Sequence, residues 1–265
     1  MKIAFIGAGR MAEALISRLP KNFQVIAADV DQKRLSTLVR KYGLRAVAGN
    51  QAAFSAGDVV ILAVKPQQMA AVAAELKTAD FRRRPKIIVS IAAGVPLRWL
   101  GKQLPGQLIV RAMPNNPCLV GAGITALAKG KRVAPGQLNV VNKIFKAVGE
   151  VVELPEKMLD AVTGLSGSGP AYVYWMIEGL VAGGVAAGLP QQLAKKLAVE
   201  TVIGAAVTAK QTAHSLTDLR MMVASPGGTT VEGLLVMEKY QTAQGLAAAV
   251  KAAAQKAAAI SSRFK

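Results

Sequence analysis

Residues 2–12 read "KIAFIGAGRMA", and this stretch decides the fold. A short β-rich run leads straight into Gly7-x-Gly9-x-x-Ala12, and the residues from Met11 to Leu19 carry helical spacing. In a strand–turn–helix of this kind Gly7 permits the tight turn and Gly9 lets a pyrophosphate approach the backbone. Ala12 allows the helix to lie against the sheet. The phosphates would then rest on the free N–H groups at the helix N-terminus. Asp29 ends the next β-rich run, where a carboxylate would accept hydrogen bonds from the ribose hydroxyls of NAD. The same side chain would equally cap a helix over Gln32–Tyr42, and so would Asp31. Lys33 and Arg34 lie just beyond and would face a 2′-phosphate instead, so the pattern leaves NADPH and NADH both open.

Working outward, the first half of the chain alternates strand and helix. Strands are expected at "KIAFIG" (2–7), "FQVIAAD" (23–29), "RAVA" (45–48), "DVVILAV" (58–64), "KIIVSIA" (86–92) and "QLIVRAM" (107–113). "ITALAKG" (124–130) and "GEVVEL" (149–154) read as further strands around a helix at Pro135–Val148. Apolar strands separated by helix-length connections imply a parallel sheet covered on both faces. After Pro155 strand signals stop, and an Ala-, Gly- and Leu-rich helical periodicity runs to the end, broken at "GLSGSGP" (164–170), "GLP" (188–190) and "SPGG" (225–228). The expected fold class is therefore α/β, with an N-terminal Rossmann dinucleotide-binding domain over 1–154 and an all-helical domain over 155–265. Gly183, Gly184, Ala186, Ala187 and Gly188 imply helices packed very close together. So small a helical domain buries little alone, which points to a dimer of interleaved helices.

Composition narrows the classes. Of 265 residues 52% are hydrophobic and only 5% aromatic, so the core must be built from Ala, Val, Leu and Ile. The longest uncharged stretches, Ala161–Ile177 and Gly179–Ala194, are split by Glu178 and carry Gly, Ser, Pro or Gln, which argues against a membrane span. A single cysteine, Cys118, rules out an intrachain disulfide and fits a reducing, cytoplasmic setting. The net charge of +18 raises the question of nucleic acid. Yet the basic residues are scattered, and the clusters "RRRPK" (82–86) and "KGKR" (129–132) lack interleaved aromatics or a DNA-binding motif. A solvated basic surface is expected rather than a nucleic-acid partner, and no metal site is expected.

At the other end, "SPGGTTVEGL" (225–234) opens a new amphipathic segment. Thr229-x-x-Glu232 reads as a capping box. The box leaves Gly227, Gly228 and Thr230 unexplained. Two glycines let successive N–H groups point outward as a nest for an anion at the positive end of a helix, with Ser225 and Thr230 adding hydroxyl donors.

The motifs "IGAGRMAEAL" (6–15), "ILAVKPQQM" (61–69), "VSIAAGVPL" (89–97), "VRAMPNNP" (110–117), "VTGLSGSGPAYV" (162–173) and "SPGGTTVEGL" (225–234), in this order, resemble pyrroline-5-carboxylate reductase over residues 2 to about 260. The resemblance implies reduction of the C=N bond of 1-pyrroline-5-carboxylate to L-proline by NADPH or NADH. It also implies a Rossmann domain and a helical domain that interlocks into homodimers, often assembled further into decamers. By the same resemblance Ile6, Gly7, Ala8, Gly9, Arg10 and Met11 hold the pyrophosphate. Asn50, Ala63, Val64, Lys65 and Pro66 line the adenosine and ribose side, and Ala92, Ala93 and Asn115 lie nearer the nicotinamide. The substrate carboxylate would meet Ser225 and the N–H groups of Thr229 and Thr230. The Thr230 hydroxyl would meet the ring nitrogen as the catalytic contact, and Glu156 matches a position associated with the proline site. His214, the only histidine, has no required role, since a protonated iminium can be bound directly. The chain departs from the family pattern at Arg10, Asn116, Cys118 and "LRMMV" (219–223), where Met221 and Met222 replace polar residues.

Overall fold

The computed structural model describes residues 1–77 and 85–264, so Arg82, Arg83 and Arg84 of the first basic cluster lie outside the described residues. Among the described residues one sheet carries eight strands: β1 (Lys2–Ile6), β2 (Gln24–Ala28), β3 (Arg45–Ala46), β4 (Val59–Leu62), β5 (Ile87–Ser90), β6 (Leu108–Met113), β7 (Gly123–Lys129) and β8 (Gly149–Glu153). Each falls within an expected strand or a residue beyond it. Their order is β3-β2-β1-β4-β5-β6-β7-β8. Chain order reverses on either side of β1, and the crevice between the C-terminal ends of β1 and β4 is the switch point where such sheets bind ligands. One expectation needs correction, because β7 runs antiparallel to β6 rather than parallel. Only a 3-10 turn over Asn116–Val120 separates these two strands, whereas a parallel return needs a crossover of a dozen or more residues.

Alternation along β1 feeds two cores. Ile3 and Phe5 face one side, where they join Leu15 of α1 (Arg10–Arg18), Leu35 and Leu38 of α2 (Gln32–Tyr42), and Phe145 of α6 (Pro135–Lys146). Ala4 and Ile6 face the other side, with Phe54 of α3 (Gly49–Ala56), Met69 and Leu76 of α4 (Met69–Leu76), and Leu100 of α5 (Leu97–Gln103). These side chains are almost fully buried, and at about 1.5–3 kcal/mol for each large one they dominate the stability of this half.

Cα packing divides the chain into two compact units. The first holds Met1–Ser168 together with the chain from Lys251 onward, and the second holds Gly169–Val250. The first unit thus runs past residue 154. Its extension is explained by Leu159 of α7 (Leu159–Val162), which is buried against Ala126 and Ala128 of β7 with Leu154 and Val162 beside it. The end of the chain adds two further ties within this unit. Phe264 meets the Trp99 ring edge-on at 5.0 Å, and the Ser261 hydroxyl donates to Asp160 at 3.1 Å.

The second unit consists of α8 (Gly169–Ala186), α9 (Gln191–Gln211), α10 (Leu216–Val223), α11 (Thr229–Lys239) and the first part of α12 (Thr242–Ser261). A Cβ on Gly184 would lie 3.2 Å from the Ala194 Cβ, so α8 and α9 approach at the distance that small residues allow. Almost nothing in this unit is buried: α8 has no buried residue and α9 only Ala194 and Ala198. Trp175, Leu180, Ile203 and Leu235 are all at least half exposed. Apolar helices left open on this scale call for a partner surface. No helix among the described residues is long and apolar enough to cross a membrane.

Candidate functional site

The turn after β1 has the form the sequence demands. Gly7 sits at φ +96°, a conformation that L side chains avoid, and its N–H donates to the Ala28 carbonyl at 2.9 Å. A Cβ there would stand 2.8 Å from the Ala63 carbonyl oxygen, because β1 and β4 lie side by side at the switch point. Gly9 is different. It caps α1 in an extended conformation, and a Cβ on it would meet nothing within 4 Å. The protein itself therefore does not need glycine at position 9, while a ligand lying over the turn would.

The N–H groups of Arg10 and Met11 start α1 and have no intrahelical acceptor, so they and the helix dipole offer a seat for an anion. Ala8, which precedes the helix, is engaged on both sides of its backbone. Its N–H donates to Asp29 Oδ2 at 2.5 Å, and its carbonyl accepts from Arg34 Nε at 3.0 Å. The open alternatives at the end of β2 are thereby separated. Asp31, whose Oδ1 accepts from the Arg34 N–H at 2.9 Å, is the cap of α2. Asp29 instead braces the turn and the Asp31 N–H, the latter at 2.8 Å. The Arg34 guanidinium pairs with Glu13.

Glu13 was not singled out by the sequence, although an acid in the first turn of a helix facing a basic α2 was the available signal. It accepts from Arg34, from Lys41 at 3.0 Å and from the Tyr42 hydroxyl at 3.0 Å. Arg34 first, then Lys41, pull its carboxyl down from 4.5 to about 2. A lowered folded-state value means that the stabilisation is complete above the ordinary glutamate range and is lost as pH falls toward 2.

The remaining cofactor candidates gather at the same C-terminal edge of the sheet. Ile6 is fully buried and offers only its backbone, its carbonyl accepting from the Ala63 N–H at 2.8 Å. Ala63 and Val64 are half-buried at the end of β4, and Lys65 and Pro66 open a 3-10 turn over Pro66–Gln68. Asn50 stands in the first turn of α3, where its amide donates to Glu75 at 2.7 Å. Ala92 and Ala93 follow β5, and the Ala92 carbonyl accepts from the Val95 N–H at 3.4 Å. Asn115 is buried after β6, with its side-chain oxygen held by the Ile124 N–H at 2.9 Å. Beside it Cys118 is a packing residue, and burial pushes its thiol up.

Glu156 occupies a second, tightly bonded position. Its Oε1 accepts from the Leu97 N–H at 2.7 Å and from Arg111 at 2.8 Å. Arg111 points from the middle of the apolar strand β6 and is only 6% exposed. An arginine inside "LIVRAM" was a visible sign of such a buried pair, and the sequence reading passed over it.

In the second unit, α11 begins at Thr229, with Gly228 as its cap and no side-chain capping bond. The capping box is thus corrected: Thr229 is already the first helical residue, which puts Glu232 one position too late to reach back. Gly227 adopts φ +70° and the Gly228 N–H closes the turn on the Ser225 carbonyl at 2.9 Å. The first N–H groups of α11, those of Thr229 and Thr230, have no intrahelical acceptor. Ser225 and Thr229 are exposed and Thr230 is half-buried. A turn of this form at a helix N-terminus can hold a carboxylate. His214 is exposed. Among the described residues no group of three or more His, Cys, Asp or Glu side chains could hold a metal ion.

Gly9→Val is expected to fold normally and to weaken dinucleotide binding by more than about tenfold, because the new side chain fills only the space a pyrophosphate would take. Fluorescence titration with NADPH checks this. Unchanged affinity in the folded variant would move the dinucleotide elsewhere.

Comparison with known proteins agrees with this geometry at both ends. Residues 2–94 match the family model described as NADP oxidoreductase coenzyme F420-dependent, and residues 156–260 match that described as pyrroline-5-carboxylate reductase dimerisation. The chain is 44% identical to the pyrroline-5-carboxylate reductase of Synechocystis sp. over 258 residues, covering 96% of each. Among solved structures, a pyrroline-5-carboxylate reductase from Coxiella burnetii superposes with a TM-score of 0.87 at 35% identity, over 98% of both chains. The Plasmodium falciparum pyrroline carboxylate reductase, solved with NADP bound, does so with a TM-score of 0.87 at 31% identity, again over 98% of both chains. The glycine turn at the switch point and the helix-capped turn at 225–230 are therefore features of a chain that belongs to the pyrroline-5-carboxylate reductase family.

Proposed function

We infer that this chain reduces the C=N bond of 1-pyrroline-5-carboxylate to give L-proline, with NADPH or NADH as the reductant. The observation that carries the reading is the pairing of two anion seats in one chain: the α1 N-terminus behind Gly7 and Gly9, and the α11 N-terminus behind Gly227 and Gly228. The bound dinucleotide supplies the hydride, and the chain supplies position and charge. Within Ile6–Met11, the N–H groups of Arg10 and Met11 receive the pyrophosphate over Gly7 and Gly9, while Ile6 and Ala8 shape the turn beneath it. Asn50 and Ala63–Pro66 line the adenosine and ribose side, and Ala92, Ala93 and Asn115 lie toward the nicotinamide. The open space over Gly9 and the unfilled N–H groups of Arg10 and Met11 fit that group.

Ser225 and the N–H groups of Thr229 and Thr230 hold the substrate carboxylate, aided by the helix dipole. The Thr230 hydroxyl contacts the ring nitrogen, and Glu156 matches a position that the family associates with the proline site. Residues 155–265 form the substrate-binding and dimerisation domain. The chain works as an oligomer through its open apolar helices; a homodimer is the assigned unit, with decamers as a further assembly. The setting is cytoplasmic.

The primary experiment is oxidation of NADPH or NADH in the presence of 1-pyrroline-5-carboxylate, compared with reduction of NADP+ or NAD+ in the presence of a β-hydroxyacid. Turnover on the hydroxyacid alone would sink the reading. Within it, Thr230→Ala is expected to lower kcat/KM on the order of 10- to 100-fold, the loss of one hydrogen bond to a charged partner. Thr229→Ala contributes through its backbone and caps nothing, so both its kinetics and its unfolding midpoint should stay near wild type. Equal kinetics in the two variants would place the ring nitrogen away from Thr230.

A further inference from the structure

The junction between β2 and α2 grips Ala8 from both sides, with Asp29 on its N–H and Arg34 on its carbonyl. In a sheet of this topology an arginine just past β2 is the group that receives a 2′-phosphate, and an acid at the end of β2 is the group that receives a free ribose hydroxyl. Both are present here, but they are not equally available. Arg34 spends Nε on the Ala8 carbonyl and Nη2 on Glu13, which draws it back against α1 and offsets its charge. Asp29 is held in one orientation by two backbone N–H groups, and a carboxylate with about four acceptor positions retains room for a hydroxyl. Between them Val30 is 88% exposed and has no donor to offer a phosphate. Asp31 adds a second negative charge while capping α2. Lys33 is an exposed, solvated cation, a type of group that contributes little by itself.

We propose that Glu13 sets the cofactor choice of this chain: by holding Arg34 behind the glycine turn it leaves Asp29 to meet the adenosine ribose, so that NADH is accepted and the 2′-phosphate of NADPH is disfavoured. Glu13 is a positioning residue in this scheme, acting through Arg34. The proposal rests on the dinucleotide-binding reading given above and goes beyond it by naming which of the two reductants the chain takes and why. The full set of contacts on Glu13, which includes Lys41 and Tyr42, keeps it ionised and fixed.

Isothermal titration of the full chain with NADH and with NADPH tests the proposal without any turnover. Wild type is expected to bind NADH about tenfold or more tightly than NADPH, the effect of one unfavourable charged contact. Glu13→Gln should release Arg34 and tighten NADPH about five- to tenfold, with NADH changed less than about twofold. Adding Arg34→Ala to that variant should abolish the gain, which a merely structural role for Glu13 would not do. Because Glu13→Gln also weakens contacts between α1 and α2, Asp29→Asn serves as a second variant, expected to narrow the preference by weakening NADH and strengthening NADPH. A wild-type preference for NADPH, or a Glu13→Gln variant that shifts both nucleotides alike, would overturn the proposal. Either result would still leave the dinucleotide site standing, since binding itself reports on that; binding of neither nucleotide would remove both.

Discussion

Gly7→Ala is expected to lose about 3 kcal/mol of stability and most dinucleotide binding with it. Two costs combine. The residue sits at φ +96°, where an L side chain costs about 1–2 kcal/mol. Its Cβ would also stand 2.8 Å from the Ala63 carbonyl oxygen and 2.9 Å from the Ala63 carbonyl carbon, which are backbone atoms that cannot rotate away. Relieving that clash means parting β1 from β4, where the Ala63 N–H donates to Ile6, and overpacking of this kind costs about 1–3 kcal/mol. Urea unfolding followed by circular dichroism measures the loss, and titration with NADH measures the rest. A variant as stable as wild type would mean that the turn relaxes without disturbing the strands. The contrast with Gly9, where a side chain meets no protein atom, separates a glycine the fold needs from one the ligand needs.

Glu156→Ala is expected to cost about 3 kcal/mol, since it strands the buried Arg111 guanidinium without its carboxylate and leaves the Leu97 N–H without an acceptor. Glu156 itself is 33% exposed on its side chain, which keeps the figure at the low end of the buried-pair range. Glu156→Gln retains an acceptor for Leu97 and should lose less. Thermal unfolding of the two variants checks the order. Steady-state kinetics on the folded enzyme then separate two jobs. A rise in KM at unchanged kcat marks a contact with substrate, and unchanged KM leaves Glu156 as the brace between β6 and α5. Stability within about 0.5 kcal/mol of wild type in Glu156→Ala would show that Arg111 finds water instead.

Much of this architecture is legible in the chain because the β-rich runs are short, apolar and punctuated. The glycine turn was legible because its position between strand and helix restricts what Gly7 and Ala12 can be doing. Less visible was the antiparallel step at β7, which depends on the length of the connection through Asn116–Val120 rather than on the strand itself. The capping box failed for a local reason: sequence spacing cannot tell whether the helix begins at Thr229 or just after it, and one residue decides the motif. Long-range pairs were the least legible. Glu13 meets Arg34 across 21 positions and Glu156 meets Arg111 across 45, and nothing in either neighbourhood names the partner. Asp29 and Asp31 looked interchangeable as letters; only the geometry of the turn gave the first to Ala8 and the second to α2.

The nucleotide unit is closed by segments far apart in the sequence. Its first strand begins at Lys2, while the edge of Trp99 is covered by Phe264, the Asp160 carboxylate by Ser261, and the space beside Gly94 by Ile260. During synthesis the glycine turn and the first strands emerge early, but the cover over α5 arrives only once α12 has been made. This unit is thus finished only after the helices of the other have been made. Removing the residues after α12 keeps every motif of the dinucleotide turn yet opens the edge of Trp99 to water, so an apolar surface far from the turn reports on the loss.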